Sequence, residues 1–300
     1  MSAARTRLRV EQGKGLHRTK RDRSRVSQRD YVGIGLWAAL LISALGWSIP
    51  FAIMFFTSVK SPADITQLPP WFLPTDWAWS NYLSAADIGD LWNTGMNSLL
   101  ISLVKVPIGL LLSAAAAFAI ARLRFRAHRL VLGLFVIGSM VPVQVALGPL
   151  FNTILALDLL HSLVGLLLPY LAFGVPYQIF VLYGFFRAIP DELEESARMD
   201  GASTARIFWQ ICIPLARPAL AALFILDFVA TWNEYAIAQT LLQSQESWTI
   251  PLAVQSFSTQ YVTDYGALNA FIILSVVPVL IVYLMFQRYF VEGFAGAVKG

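Results

Sequence analysis

The chain has 300 residues, of which 57% are hydrophobic and only 13% charged, about half the charged share of an ordinary soluble domain. With a mean hydropathy of +0.62, this composition excludes a water-soluble fold, which would have too little interior to hide so much apolar surface. A single cysteine, Cys212, excludes a disulfide framework or a multi-cysteine metal site within one chain. The net charge of +4 is concentrated, with ten of the 22 Lys and Arg in the first 30 positions, so no broad basic face for nucleic acid follows from it.

The leader, MSAARTRLRVEQGKGLHRTKRDRSRVSQRD over 1–30, has almost no apolar residues to bury and is expected to be a disordered basic segment. A nucleic-acid tail is the weaker reading, because charge ahead of a first membrane span is what topology alone produces. The next run, Tyr31 to Phe56, reads as a retained span: it is too long for a signal-peptide core and leads into TSVKSPADITQLPPWFLP, not a small-residue cleavage site. Five further apolar runs lie near 94–121, 130–153, 163–186, 215–238 and 266–287, each with the ~20 residues needed to cross the hydrocarbon. The fold class expected is an all-α integral membrane protein with six transmembrane helices.

These runs are not uniform. The second contains SAAAAFAIA at 113–121, whose small side chains let helices approach closely in lipid, and it also carries Lys105, near enough to the outer third of the run to snorkel. Pro107, Pro142, Pro169, Pro176 and Pro278 interrupt or bend spans, a pattern tolerated where neighbouring helices or a cavity take up the freed carbonyls. In the fifth run Asp227 lies near the middle, and Asn233 and Glu234 follow in FVATWNEYAIA. A carboxylate at bilayer depth is costly unless it faces a cavity or a partner. Asp227 and Glu234 are seven residues apart, roughly two helical turns, so one stripe would hold both. Asp227, Asn233 and Glu234 are therefore candidate translocation-path residues, with structural pairing to a neighbouring helix as the alternative.

Segments 1–30, 122–129, 187–217 and 288–300 hold ten, four, four and two Lys or Arg, while 57–93, 154–162 and 239–265 hold one, none and none. Twenty against one is a strong positive-inside bias, which puts both termini of a six-span chain in the cytoplasm.

The largest gap on the basic side, 187–218, reads RAIPDELEESARMDGASTARIFWQICIPLARP. Pro190 suits a helix start, and the acids at 191, 192, 194 and 195 favour the positive end of that helix. Glu194 and Arg198 form an i,i+4 pair, and Gly201 is placed to take the left-handed conformation that ends the helix. Ser203 or Thr204 can cap a second short helix carrying Ile207, Phe208 and Ile211, which Pro214 separates from the next span. Ile207 and Phe208 would form a compact apolar knob. An acidic helix is repelled by anionic lipid, so a protein-docking element fits better than a helix pair resting on headgroups.

Residues 195–218, ESARMDGASTARIFWQICIPLARP, resemble the EAA loop of bacterial ABC-importer permeases. Glu195 and Ala197 match its opening, with Ser196 in place of the central alanine, and Asp200, Gly201, Ala202, Phe208, Ile211, Pro214 and Pro218 match the remainder. WNEY at 232–235, MNSLLIS at 96–102 and the ending QRYFVEGFAGAVKG at 287–300 are similar to the carbohydrate-importing permeases of the maltose type. In that ending Glu292 stands where a basic residue is common and Phe294 where leucine is.

The resemblance, over residues 31–300, implies a six-helix type I importer subunit in the bacterial inner membrane, with a cytoplasmic coupling loop at 187–218. It implies as partners a second, different permease, two ATP-binding subunits and an extracytoplasmic sugar-binding protein, besides membrane lipid. Glu195, Ala197, Asp200, Gly201, Ala202, Ile207, Phe208, Ile211 and Pro214 would couple to the ATPase, and Gly293, Gly296, Val298 and Lys299 of the tail at 288–300 would contact it. ATP and Mg would be held by those partners, with no cofactor bound by this chain. The chain has no Gly-rich phosphate loop ending in Lys-Ser/Thr. His17, His128 and His161 fall in three separate wetted segments, so neither a catalytic nor a metal site is expected. The alternatives in other classes are a stand-alone secondary sugar or ion transporter, which would need coupling ions and usually internal repeats, and a non-transporting membrane scaffold.

Overall fold

The computed structural model describes residues 21–123 and 125–297, the backbone alone before position 33 and after position 287. The expectations placed on 1–20, and on Val298 and Lys299, lie outside the described residues. The chain divides into two units, 1–56 and 57–300. Helix α1 (Arg21–Ser58) makes up the first. It starts ahead of the expected Tyr31, so positions 21–30 of the basic leader are helical and not irregular. That stretch contains neither Pro nor Gly, and lengthening an existing helix avoids the cost of nucleating a new one.

The second unit runs through α2 (Pro62–Gln67), α3 (Ser80–Ile88), α4 (Leu91–Arg122), α5 (His128–Ser139), α6 (Val143–Ala156), α7 (Leu163–Arg187) and α8 (Asp191–Met199). It continues with α9 (Thr204–Ile207), α10 (Ile213–Leu215), α11 (Arg217–Trp232), α12 (Ala236–Leu241), α13 (Ile250–Ala253) and α14 (Tyr265–Ala297). Among the described residues four helices are long and apolar enough to cross a membrane, and two bent pairs would make six if each is one span. The chain is thus an all-α, multi-pass membrane protein.

Two of the expected unbroken runs are interrupted for local reasons. Over 130–153 the chain turns by 96° between α5 and α6. Met140 and Val141 donate to Ile137 and Gly138 in a tight turn, and Pro142 follows with no amide hydrogen to continue the ladder. The fifth run, 215–238, is interrupted at Asn233–Tyr235, leaving α11 only 16 residues. That is roughly 24 Å of helix, short of the ~30 Å hydrocarbon.

Within the second unit α4 packs most extensively along α7, and α11 lies against both α4 and α14. The expected close approach of small residues is present: Ser113, Ala114 and Ala117 of α4 are fully buried, the two alanines in one core with Ile179, Leu182 and Phe186 of α7. The same face of α4 carries Ser98, Ser102, Lys105 and Ser113, all buried. Their spacing of four, three and eight residues keeps them on one stripe. Ser113 donates to Gln178 Oε1 on α7 at 2.8 Å, and Ser98 Oγ accepts from the Ile250 amide at 2.8 Å. A second core joins Ile101, Ile154, Leu166, Tyr170, Ile237 and Leu252 around the break after α11.

The connection between α1 and α3 folds on itself. Lys60 Nζ donates to the carbonyls of Pro69 and Pro70 at 3.1 and 3.2 Å, and the Asp64 carboxylate accepts from Thr75 N at 2.8 Å and Thr75 Oγ1 at 2.6 Å. The Thr75 hydroxyl bond is the main reason the Asp64 pKa lies below its ordinary 3.8. A depressed carboxylate pKa contributes stability that is present above the ordinary value and lost as pH falls through the lowered one. Limited proteolysis should therefore leave residues 61–79 intact in the wild type at neutral pH, cut them on acidification below 3.8, and cut Asp64→Ala already at neutral pH. Equal resistance of Asp64→Ala at neutral pH would count against these bonds as the clasp.

Candidate functional site

Helix α8 and the turn after it form the most specific surface in the chain. The helix begins with Asp191, Glu192 and Glu194 in its first turn, where the positive end of the dipole favours carboxylates. Pro190 precedes it as the N-cap and not as its first residue. Gly201 has φ +79°, as the sequence reading anticipated. Its amide donates to Arg198 O at 3.0 Å, and the next amide, Ala202 N, reaches back to Ala197 O at 2.9 Å. Those two bonds are a Schellman termination, with Ala197 and Ala202 as the accompanying apolar contact. No atom lies within 4 Å of a Cβ built on Gly201, so glycine is required here by backbone conformation and not by crowding.

Ser203 caps α9, accepting from Arg206 N at 3.3 Å. A π-helical turn over Phe208–Cys212 and the three residues of α10 then lead to α11, after a bend of 72°. Pro214 lies within α10 and is not the separator expected, since the chain breaks at Ala216 and Pro218 lies in the first turn of α11. The π register suits a proline at 214, which has no amide to donate to an α-helical acceptor.

The expected exposed knob is corrected. Ile207 is fully buried, and Phe208 is turned inward against Phe118 of α4, with ring centroids 5.1 Å apart. Both belong to the bundle core with Cys212 and Ala216, because an aromatic ring beside the small-residue end of α4 buries more area inward than outward. Ile211 and Pro214 are partly buried, while Glu195, Asp200 and Gly201 are exposed. The large apolar side chains that this segment does present are Leu193, Trp209, Leu215 and, 89% exposed, Met199.

Arg122, at the end of α4, holds α8 in place. Its guanidinium pairs with Asp191 and, at 3.1 Å, with Glu194, and donates to the carbonyls of Phe186 and Ile189. Its side chain is 6% exposed and that of Glu194 10%, so this is a buried clamp among the last turn of α4, the end of α7 and the start of α8. The expected Glu194–Arg198 pair is also present, at 3.9 Å, with Arg198 half exposed. Sequence reasoning missed the clamp: Arg122 looks like any basic residue flanking a span.

Lys105 does not snorkel. It is buried and paired with Asp227 of α11, which is the pairing with a neighbouring helix considered beside a path role for Asp227. Gly174 of α7 leaves room for the pair, since a Cβ there would lie 2.7 Å from Lys105 Nζ. Glu234 does not continue a stripe from Asp227, because α11 has ended. Its carboxylate accepts from Ile237 N at 2.9 Å, Ala238 N at 3.0 Å and the Tyr170 hydroxyl at 2.7 Å, capping α12 and tying it to α7. Asn233 is exposed, its Nδ2 donating to Val229 O at 2.9 Å. Gly293 and Gly296 lie on the last turns of α14. His161 Nδ1 accepts from Gln243 N at 3.1 Å, which ties two connections together, and among the described residues no cluster of three metal-ligating side chains occurs.

The model of the family described as "Binding-protein-dependent transport system inner membrane component" matches residues 106–295. The chain is 35% identical over 255 residues to the diacetylchitobiose uptake system permease protein NgcG of Streptomyces coelicolor, covering 84% of this chain and 82% of that protein. It is likewise 35% identical to the trehalose transport system permease protein SugB of Mycobacterium tuberculosis, over 88% of this chain and 97% of that one. In fold it is similar to a chain in the crystal structure of a bacterial ABC transporter involved in import of the acidic polysaccharide alginate. That likeness has a TM-score of 0.72 and 28% identity, and covers 88% of this chain and 98% of the other.

Proposed function

Because the chain belongs to the family of binding-protein-dependent transport system inner membrane components, and so is a bacterial inner-membrane permease of a sugar ABC-import system rather than an enzyme, we propose that it is one of two different permeases in a maltose-type importer. This membership sets aside a stand-alone secondary transporter and a non-transporting scaffold. In the proposed assembly two ATP-binding subunits lie beneath the permease pair, both termini are cytoplasmic, and an extracytoplasmic binding protein delivers a mono- or oligosaccharide. The chain's own share is alternating access driven by ATP binding and hydrolysis in those partners, which hold the ATP and Mg.

The observation that carries this reading is α8 with its Schellman turn. The helix is acidic, presents Leu193 and Met199 outward, and is anchored inward through Arg122 to α4 and α7. A partner's cleft closing on that outward face would move α8, and the clamp would pass the movement to two long helices. Glu195, Asp200 and Gly201 belong to the docking face, with Met199 as its apolar anchor. Ala197, Ala202, Ile207, Phe208, Ile211 and Pro214 act from behind, by joining the loop to the bundle. Gly293, Gly296, Val298 and Lys299 remain proposed as ATPase contacts.

Gly201→Asp and Met199→Glu test the assignment. Each places a negative charge on the docking face, and the first also strains a left-handed position by about 1 kcal/mol. Both should lower recovery of the ATPase on pull-down and cut ATP-dependent uptake several-fold, with the permease still in the membrane. Wild-type recovery and uptake in both would overturn α8 as the docking element.

A further inference from the structure

Beside the break after α11 there is a hollow of about 710 Å³, lined in part by Trp232, Asn233, Tyr235, Gln255, Ser258 and Ser275. Asn233, Tyr235, Gln255 and Ser258 are exposed, while Trp232 is buried and closes one wall. Gln255 Nε2 donates to the Tyr235 hydroxyl at 2.9 Å, which fixes the two side chains against each other. That bond leaves the Tyr235 hydrogen and Gln255 Oε1 available to a ligand, as is Asn233 Oδ1. No charged side chain lines it.

α11 ends at Trp232 after 16 residues, and interrupted backbone with exposed polar side chains is tolerated within a membrane only against protein or a water-filled cavity. A neighbouring hollow of about 510 Å³ makes the contrast. It is lined only by apolar groups such as Trp92, Met96, Leu99, Leu274 and Pro278, and offers a hydroxylated ligand no partner. Paired donors and acceptors beside an exposed aromatic ring are the chemistry of a neutral sugar: hydroxyls bond to the amides and phenol, and the apolar C–H face of the sugar lies on the Tyr235 ring, 40% exposed.

We propose that this subunit itself binds the transported sugar, a neutral mono- or oligosaccharide, at the hollow lined by Asn233, Tyr235, Gln255 and Ser258. The site rests on the importer reading above, and adds that substrate is gripped here and not only by the second permease. Glu234, although adjacent, is not a sugar ligand, because its carboxylate is occupied by two amides and the Tyr170 hydroxyl.

The test uses the complete importer, with its second permease, ATPase subunits and binding protein, in proteoliposomes. The probes are trehalose, diacetylchitobiose, raffinose and a uronic-acid oligomer. Asn233→Ala and Gln255→Ala should each lower kcat/KM for the sugar imported best by about ten-fold, the upper end for one hydrogen bond. They should also change the ratio of kcat/KM between two imported sugars, which a merely structural role would not do. Tyr235→Phe and Gln255→Glu keep the side-chain volume and serve if the alanine variants fail to assemble. In Gln255→Cys, modification by an impermeant thiol reagent should be slowed by the imported sugar.

Wild-type import of a neutral sugar, with unchanged kcat/KM and preference in all the variants, would overturn the site and leave the importer reading standing. Preferential import of the uronic-acid oligomer would overturn the neutral-sugar assignment. Absence of ATP-dependent uptake of any probe by the wild type would overturn the importer reading, and the site with it.

Discussion

Arg122→Ala is expected to uncouple the α8 segment from the bundle and abolish most sugar uptake. Removing the guanidinium leaves Glu194 buried with only the distant Arg198, and takes the side-chain donor from the Ile189 carbonyl and from the Phe186 carbonyl, which keeps the Ile189 amide at 3.2 Å. Breaking a buried ion pair from one side costs roughly 3–5 kcal/mol, because the remaining charge stays desolvated. That exceeds what one exposed turn of helix can absorb, so the loss should fall on the attachment of α8. Amide exchange over 188–203 should rise sharply, and uptake should drop by more than ten-fold. Arg122→Lys keeps the charge but not the planar fork that reaches two carboxylates and two carbonyls, and should recover only part of the activity. Unchanged exchange and uptake in Arg122→Ala would remove the clamp from the coupling route.

The second large effect is expected at the pair between α4 and α11. Asp227→Leu strands Lys105 where it is 3% exposed, with a predicted cost of about 3–5 kcal/mol. Folded protein in the membrane and the Tm in detergent should both fall. Combining it with Lys105→Met should return most of the lost stability, since a well-packed apolar pair is often as stable as a buried ionic one. Uptake by the double variant then separates the two roles considered for Asp227. Recovery of uptake together with Tm assigns the pair to packing, whereas a stable but inactive double variant assigns it to transport. A Tm for Asp227→Leu equal to that of the wild type would refute the burial argument itself.

The two sites differ in how far they were legible beforehand. One lysine and one aspartate, each alone in a long apolar run, have opposite sign and a shared cost of burial, so their pairing was open to inference. A run of that length hides how deep one residue lies, so the sequence does not distinguish a snorkelling Lys105 from a buried one. Phe208 differs from the sequence expectation for another reason. Sequence tells that a ring on a short helix must be buried somewhere, but whether it packs inward or waits for a partner depends on what stands opposite. Phe118 supplies that surface from 90 positions away. Asn233 was marked as a path residue, but Tyr235 and Gln255 were not, since nothing in the local sequence brings the connection after α12 back to the end of α11.

What the sequence determined by itself is whatever depends on neighbours along the chain. The apolar runs had to be helices in lipid because each helix satisfies its own backbone. The acids at the start of α8, the serine cap of α9 and the left-handed Gly201 are all set within a few residues, and the EAA pattern that marks the family is equally local. The tertiary structure decided what depends on residues distant in sequence. Arg122 closes on Asp191 and Glu194 only because α4 and α7 end at the same level. Glu234 can end the helical run only where Tyr170 and the α12 amides meet it. Buried charges and carboxylates with several acceptor positions are indifferent to the order of the chain, and their free energy is fixed by whichever partners the packing of whole helices brings within 3 to 4 Å.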